Sequence, residues 1–112
     1  MVAENQLFKG NSAMLILGLL EGGDKYGYQM INALAVRSEG AFDLKEGTLY
    51  PILHALENRG SIEAYWLDSE AGRRRRYYRL TKDGRKELQK RREEWQAYCA
   101  AVSRVMGGEC LG

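Results

Sequence analysis

The sequence predicts a mainly α domain that carries one β-hairpin and closes on a long helix. Three observations predict it. Apolar residues recur at helical spacing in three blocks before residue 58, the pattern then alternates in strand fashion over residues 61–67 and 74–80, and helical spacing returns after Thr81. A chain of 112 residues suits one domain with one core. The expected layout is a single domain over 1–112, divided into a body at 4–81, a closing helix at 82–106 and a flexible tail at 107–112.

The first helix is expected over residues 4–20. Leu7, Phe8, Met14, Leu15, Leu17, Leu19 and Leu20 are too many for one stripe, so much of its circumference should be covered. Gly22-Gly23-Asp24 ends it. A second helix should run from Tyr26 to about Ser38, with Met30, Ile31, Leu34 and Ala35 inward and Gly40 as the break. Residues 41–44 read as a short extended link. The third helix falls between Lys45 and Asn58, with Leu49, Ile52, Leu53 and Leu56 on one face. Pro51 sits awkwardly in it, so either the helix begins near Pro51 or its first turn is distorted. The two alternating segments flank Asp68-Ser69-Glu70-Ala71-Gly72, a turn sequence, and form the hairpin. Thr81 is a good N-cap and Asp83 suits the positive end of the last helix. Three helices, a hairpin and a closing helix form the winged helix-turn-helix order: mainly α with a β-hairpin wing.

Charge is unevenly spread. The whole chain carries 17 basic and 15 acidic side chains, a net charge of +2. Residues 1–72 are net −5, residues 73–92 are net +9, and residues 93–112 are net −2. A basic block on an otherwise acidic chain points to a polyanionic partner, although a solvated helix face has the same composition. No apolar run approaches the ~20 residues a membrane-spanning helix needs, and the first residues lead into no signal-peptide pattern. Cys99 and Cys110 would stand about 16 Å apart on one helix, too far for a bridge. A reducing, cytoplasmic location is therefore expected. His54 has no companion at metal-ligand spacing, no nucleophile has a base partner, and no phosphate-binding glycine motif occurs. Neither an enzyme nor a metal or cofactor site is expected.

Four segments carry a family resemblance: Lys25-Tyr26-Gly27-Tyr28, Glu46-Gly47-Thr48-Leu49-Tyr50-Pro51-Ile52-Leu53, Leu56-Glu57-Asn58-Arg59-Gly60, and Arg75-Arg76-Tyr77-Tyr78-Arg79-Leu80-Thr81-Lys82-Asp83-Gly84. Together they resemble the signature of PadR-family transcriptional regulators, from about residue 13 to residue 98. The short chain is similar to the compact branch of that family, which includes multidrug-sensing repressors. The resemblance implies a homodimeric winged helix that binds a pseudo-palindromic operator in double-stranded DNA. It also implies a phosphate contact for the Tyr50 hydroxyl and base-edge contacts near the start of the third helix.

The core face of the third helix leaves Lys45, Glu46, Thr48, Tyr50 and His54 free for DNA. Lys45 stands where the family usually has a small polar cap. The wing adds Arg73, Arg74, Arg75 and Arg76, whose forks suit phosphates and a narrow minor groove. Alternation places Arg76 with Tyr78 and Leu80 on one face, and Arg75 with Tyr77 and Arg79 on the other. Leu7, Leu88, Trp95, Tyr98, Cys99, Val102 and Met106 are the expected dimer interface on the first and last helices. Met14, Leu88, Arg91, Trp95 and Cys99 form a candidate effector site. In the resembling multidrug-sensing branch the tryptophan stacks on planar aromatic ligands at the dimer centre, whereas plain packing is the simpler role of such a stripe. Arg91 and Arg92 occupy positions that are more apolar in those relatives and would suit an acidic aromatic ligand. A second class of function stays open: a winged helix used for protein–protein interaction without specific DNA binding, its basic block merely solvated.

Overall fold

The computed structural model describes residues 6–108. The expected start of the first helix at residue 4, residues 109–112 of the expected tail, and Cys110 lie outside that range. Seven elements follow in order: α1 (Gln6–Glu21), β1 (Lys25–Tyr26), α2 (Gly27–Arg37), α3 (Glu46–Asn58), β2 (Ile62–Asp68), β3 (Arg74–Leu80) and α4 (Lys82–Met106). This is the mainly α fold with a hairpin wing that the periodicity predicts.

Helix α1 runs through the middle of the body. Phe8, Ile16, Leu17, Leu19 and Leu20 are buried and are spread around its axis, which is why no single stripe is visible in its sequence. Helices α2 and α3 add Met30, Leu34, Leu49, Leu53 and Leu56, while the hairpin and α4 close the core with Ile62, Tyr78, Leu80 and Leu88. Leu44, in the link between α2 and α3, is also buried. The Phe42 ring packs on Phe8 with centroids 5.5 Å apart, so that link is pinned to α1.

Two elements differ from expectation. Tyr26 does not begin the second helix. With Lys25 it forms a two-residue strand whose partners are Tyr77 and Tyr78 of β3, so the sheet has three strands in the order β1-β3-β2. The Tyr26 backbone then serves as the N-cap of α2, and its N–H donates to the Gln29 side chain. A strand this short has no alternating pattern of its own and exists only because β3 offers an edge. The other difference is Pro51, which lies inside a continuous α3 that begins at Glu46. It removes the donor that Gly47 would otherwise receive, and Gly47 is exposed, so water can take its place.

Thr81 caps α4 as expected, accepting a bond from the Gly84 N–H at 2.9 Å. Its hydroxyl also donates to the Gly60 carbonyl at 2.6 Å, tying the turn after α3 to the start of α4. Gly107 ends α4 in the left-handed region (φ 75°), where a glycine is favoured. No helix among the described residues is long and apolar enough to cross a membrane.

Candidate nucleic-acid interface and ligand cavity

Helix α3 is anchored on Leu49, Leu53 and Leu56, and its opposite face is open. Lys45, Glu46, Gly47, Tyr50 and His54 are exposed and Thr48 is half-buried, so the predicted contact residues share the free side of one helix. Lys45 occupies the N-cap with extended backbone and makes no side-chain cap bond, as its long ammonium stem dictates. Its carbonyl accepts the Thr48 and Leu49 N–H groups, both at 3.0 Å. Glu46 stands in the first turn, where a carboxylate favours the helix dipole. Tyr50 reaches back to the start of α2: a Cβ on Gly27 would meet its hydroxyl oxygen at 2.5 Å, so only glycine lets the ring lie there. The Tyr50 hydroxyl thereby lies beside the N-terminus of α2, a place that favours an anion.

The wing is the β2–β3 hairpin, paired in register from Ile62 with Leu80 to Asp68 with Arg74. Its turn is closed by Ser69, whose N–H donates to the Arg73 carbonyl at 2.7 Å, and by Gly72 at φ +80°. The four arginines meet four different surroundings. No ion pair of the Arg73 side chain occurs among the described residues. Arg74 lies over Trp66 and 3.8 Å from Asp68, Arg75 lies over the Tyr26 ring at 4.5 Å, and Arg76 donates to Glu57 of α3 at 2.7 Å. Tyr78 and Leu80 are buried on the Arg76 side, as the alternation predicts. The opposite face carries a row of rings across all three strands: Tyr26 meets Tyr77 edge-on at 5.3 Å, and Tyr77 stacks on Tyr65 at 5.8 Å. The Tyr65 hydroxyl donates to Asp24 at 2.7 Å, which pushes its pKa up.

A cavity of about 480 Å³ opens between α1, α2 and α4. Met14, Leu88 and Trp95, three of the predicted effector residues, line it together. Leu34, Arg37 and Phe42 line it as well; periodicity marks Leu34 as inward but does not say that α2 and the link after it face Trp95. Arg92 is its α4 cation rather than Arg91, and the Arg92 guanidinium holds Glu21 of α1 through bonds of 2.6 and 3.1 Å. That guanidinium draws the Glu21 carboxyl below its ordinary pKa. Arg91 instead donates to Glu87 at 2.7 Å and lines a neighbouring cavity of about 240 Å³ with Leu7, Met14, Trp95 and Tyr98. Cys99 is buried and lines neither cavity.

Comparison with known proteins decides the family. Residues 16–90 match the transcriptional regulator PadR-like family. The chain belongs to the PadR family. An uncharacterized protein of Lysinibacillus sphaericus is 32% identical over 107 residues, spanning 96% of this chain and 98% of its own. A transcriptional regulator from Clostridium thermocellum is 32% identical and superposes with a TM-score of 0.82 over 89% of this chain and 97% of that one. A PadR-like transcriptional regulator from Bacillus cereus is 27% identical, also with a TM-score of 0.82, over 94% of this chain and all of that one. The PadR family resemblance read from the four sequence segments is therefore correct, and the protein is a PadR-family transcriptional regulator.

In this PadR-family chain the family match ends at residue 90, before Trp95. The predicted interface residues divide. Leu7, Tyr98 and Met106 are exposed at 58%, 59% and 76%, and Trp95 and Val102 are half-buried. Leu88 and Cys99 are different: both are buried inside the subunit, Leu88 as part of the central core. A heptad stripe does not reveal this, because spacing along α4 does not say which of its turns the subunit itself covers.

Proposed function

We propose that this PadR-family regulator is a cytoplasmic, homodimeric, sequence-specific repressor whose α3 enters the major groove of a pseudo-palindromic operator. One observation carries the reading. The exposed side of α3 presents Lys45, Glu46, Thr48, Tyr50 and His54, and the arginine-bearing wing is joined to the same helix through Glu57 and Arg76. Helix side chains then read base edges while Arg73, Arg74 and Arg75 add phosphate attraction. Its work is binding rather than catalysis.

The test compares a duplex enriched by the protein from a random library with an unselected one. Replacing Arg73, Arg74 and Arg75 together by Ala weakens binding to both by similar factors and flattens the salt slope by up to about three. Changing Lys45 or Thr48 lowers the ratio of selected to unselected affinity. Unchanged binding of the wing variant to both DNAs would move the interface elsewhere, and binding of neither DNA by the wild type would favour the protein-interaction class.

A small planar aromatic effector bound beside Trp95, supported by the 480 Å³ cavity, would lower operator affinity by favouring one separation of the two α3 helices. Arg37 on the cavity wall suits an acid better than a cation, whereas Arg92 there is already paired with Glu21. In a Trp66→Phe background, planar aromatic acids should quench Trp95 fluorescence more than aromatic cations do. A Trp95→Ala protein with undiminished ligand affinity would eliminate this site.

A further inference from the structure

Consecutive arginines in a strand point alternately to opposite faces, and this separates the duties of the wing arginines. Arg75 lies on the outer face over Tyr26, whereas Arg74 and Arg76 share the face that holds Tyr78 and Leu80 against the body. On that shared face Trp66 stands directly opposite Arg76 in the ladder. The guanidinium carbons of Arg74 and Arg76 lie 5.2 and 5.9 Å from its ring centroid. Arg76 then bonds to the Glu57 carboxylate of α3 at 2.7 Å. A continuous row thus runs from the contact helix into the wing: Glu57, Arg76, Trp66, Arg74.

The row sits where the wing needs bracing. β1 pairs only with Tyr77 and Tyr78, so beyond Arg76 the wing is a two-stranded ribbon with no third strand beside it. Such a ribbon is weakly ordered on its own and free to change its twist. Arginine suits the junction because its planar head can bond a carboxylate along its edge while its face covers an indole, which a lysine ammonium cannot do. The pairing also neutralises Arg76 locally, which leaves it a poor candidate for attracting phosphate.

We propose that Glu57, Arg76 and Trp66 form a strut that sets the angle between the wing and α3, so that the wing meets duplex DNA in step with a docked α3. Arg76 and Trp66 are positioning residues rather than phosphate contacts. The proposal rests on the DNA-binding reading above. It reassigns Arg76, which the sequence groups with its three neighbours. An exposed ion pair stabilises a fold little, so the strut acts on geometry and not on folding.

The sign of one substitution discriminates. If Arg76 gripped phosphate, Glu57→Ala would remove a repelling acid and release a cation, and binding to an unselected duplex would tighten. If Arg76 is part of a strut, Glu57→Ala and Arg76→Met each lower the ratio of selected to unselected affinity several-fold. Their salt slopes stay at the wild-type value, and the double variant is no worse than the worse single. Trp66→Phe keeps the ratio and Trp66→Ala loses it. Arg74→Ala, by contrast, flattens the slope by about 0.9. All measurements are made where circular dichroism shows every variant fully folded. Tighter binding by Glu57→Ala, or a slope flattened by about 0.9 in Arg76→Met, overturns the strut. Failure of the wild type to bind either duplex would instead overturn the DNA-binding reading, and the strut's purpose with it.

Discussion

Glu87 accepts bonds from three side chains on two sides of one junction: Arg59 after α3, the buried Ser61 hydroxyl, and Arg91 one turn further along α4. These donors, Arg59 first, hold its pKa down to about 2 against the ordinary 4.5, although burial opposes them. Because the folded-state value lies below that of the unfolded chain, the stabilisation is complete above about pH 4.5. It is lost as pH falls toward 2, and its full size is about 3 kcal/mol. Glu87→Gln is expected to destabilise at pH 7 by up to about that amount and to flatten the acid limb of the stability curve, measured by urea unfolding at fixed protein concentration from pH 7 to pH 2.5. An acid limb identical to wild type would show that other carboxylates carry it. At the same junction Gly84 lies against the Ser61 carbonyl, and a Cβ there would also meet the Leu80 Cδ1 at 2.8 Å. Gly84→Ala must push α4 off the hairpin, so a loss of about 1–3 kcal/mol is expected in the same unfolding assay.

Helix α3 carries two residues that lower helix propensity, Gly47 and Pro51, both exposed on or near the face proposed to meet DNA. Nothing lies within 4 Å of a Cβ built on Gly47. Alanine there should raise stability by about 0.5–1 kcal/mol, because Gly gives up more chain entropy than Ala in a helix. In the proposed complex a glycine in this turn lets the backbone approach the duplex closely. Gly47→Ala is therefore expected to melt higher and to bind duplex DNA more weakly. A variant that is more stable and binds DNA as well as wild type would show that this turn does not approach the groove.

The whole subunit leaves Leu7, Tyr98, Val105 and Met106 exposed along α1 and the far half of α4. These residues lie near the start of α1 and along the last turns of α4, and a second copy is the partner that the proposed repressor needs. Val102, half-buried between them, is the place to test it. Val102→Asp would put a charge into a desolvated interface and shift the sedimenting mass toward the monomer. A wild-type protein that sediments as a monomer at micromolar concentration would rule the dimer out.

Six of the seven elements and the family are legible in the sequence. Apolar spacing located four helices, alternation located the hairpin, Thr81 announced the start of α4, and the Tyr50 and Tyr77-Tyr78 segments carried the PadR resemblance, all through rules that act within a few residues. The tertiary structure decided everything that depends on which faces meet. It turned Lys25-Tyr26 into a strand because β3 offered an open edge. Leu88 and Cys99 left the surface stripe because the subunit itself covers them, and Arg92 rather than Arg91 faced the Trp95 cavity beside Glu21. Four arginines adjacent in sequence became four distinct environments, since strand alternation and the reach of Glu57 from α3 act on each separately. Local pattern fixes where the chain turns and which residues want burial; only packing in three dimensions assigns each charge its partner.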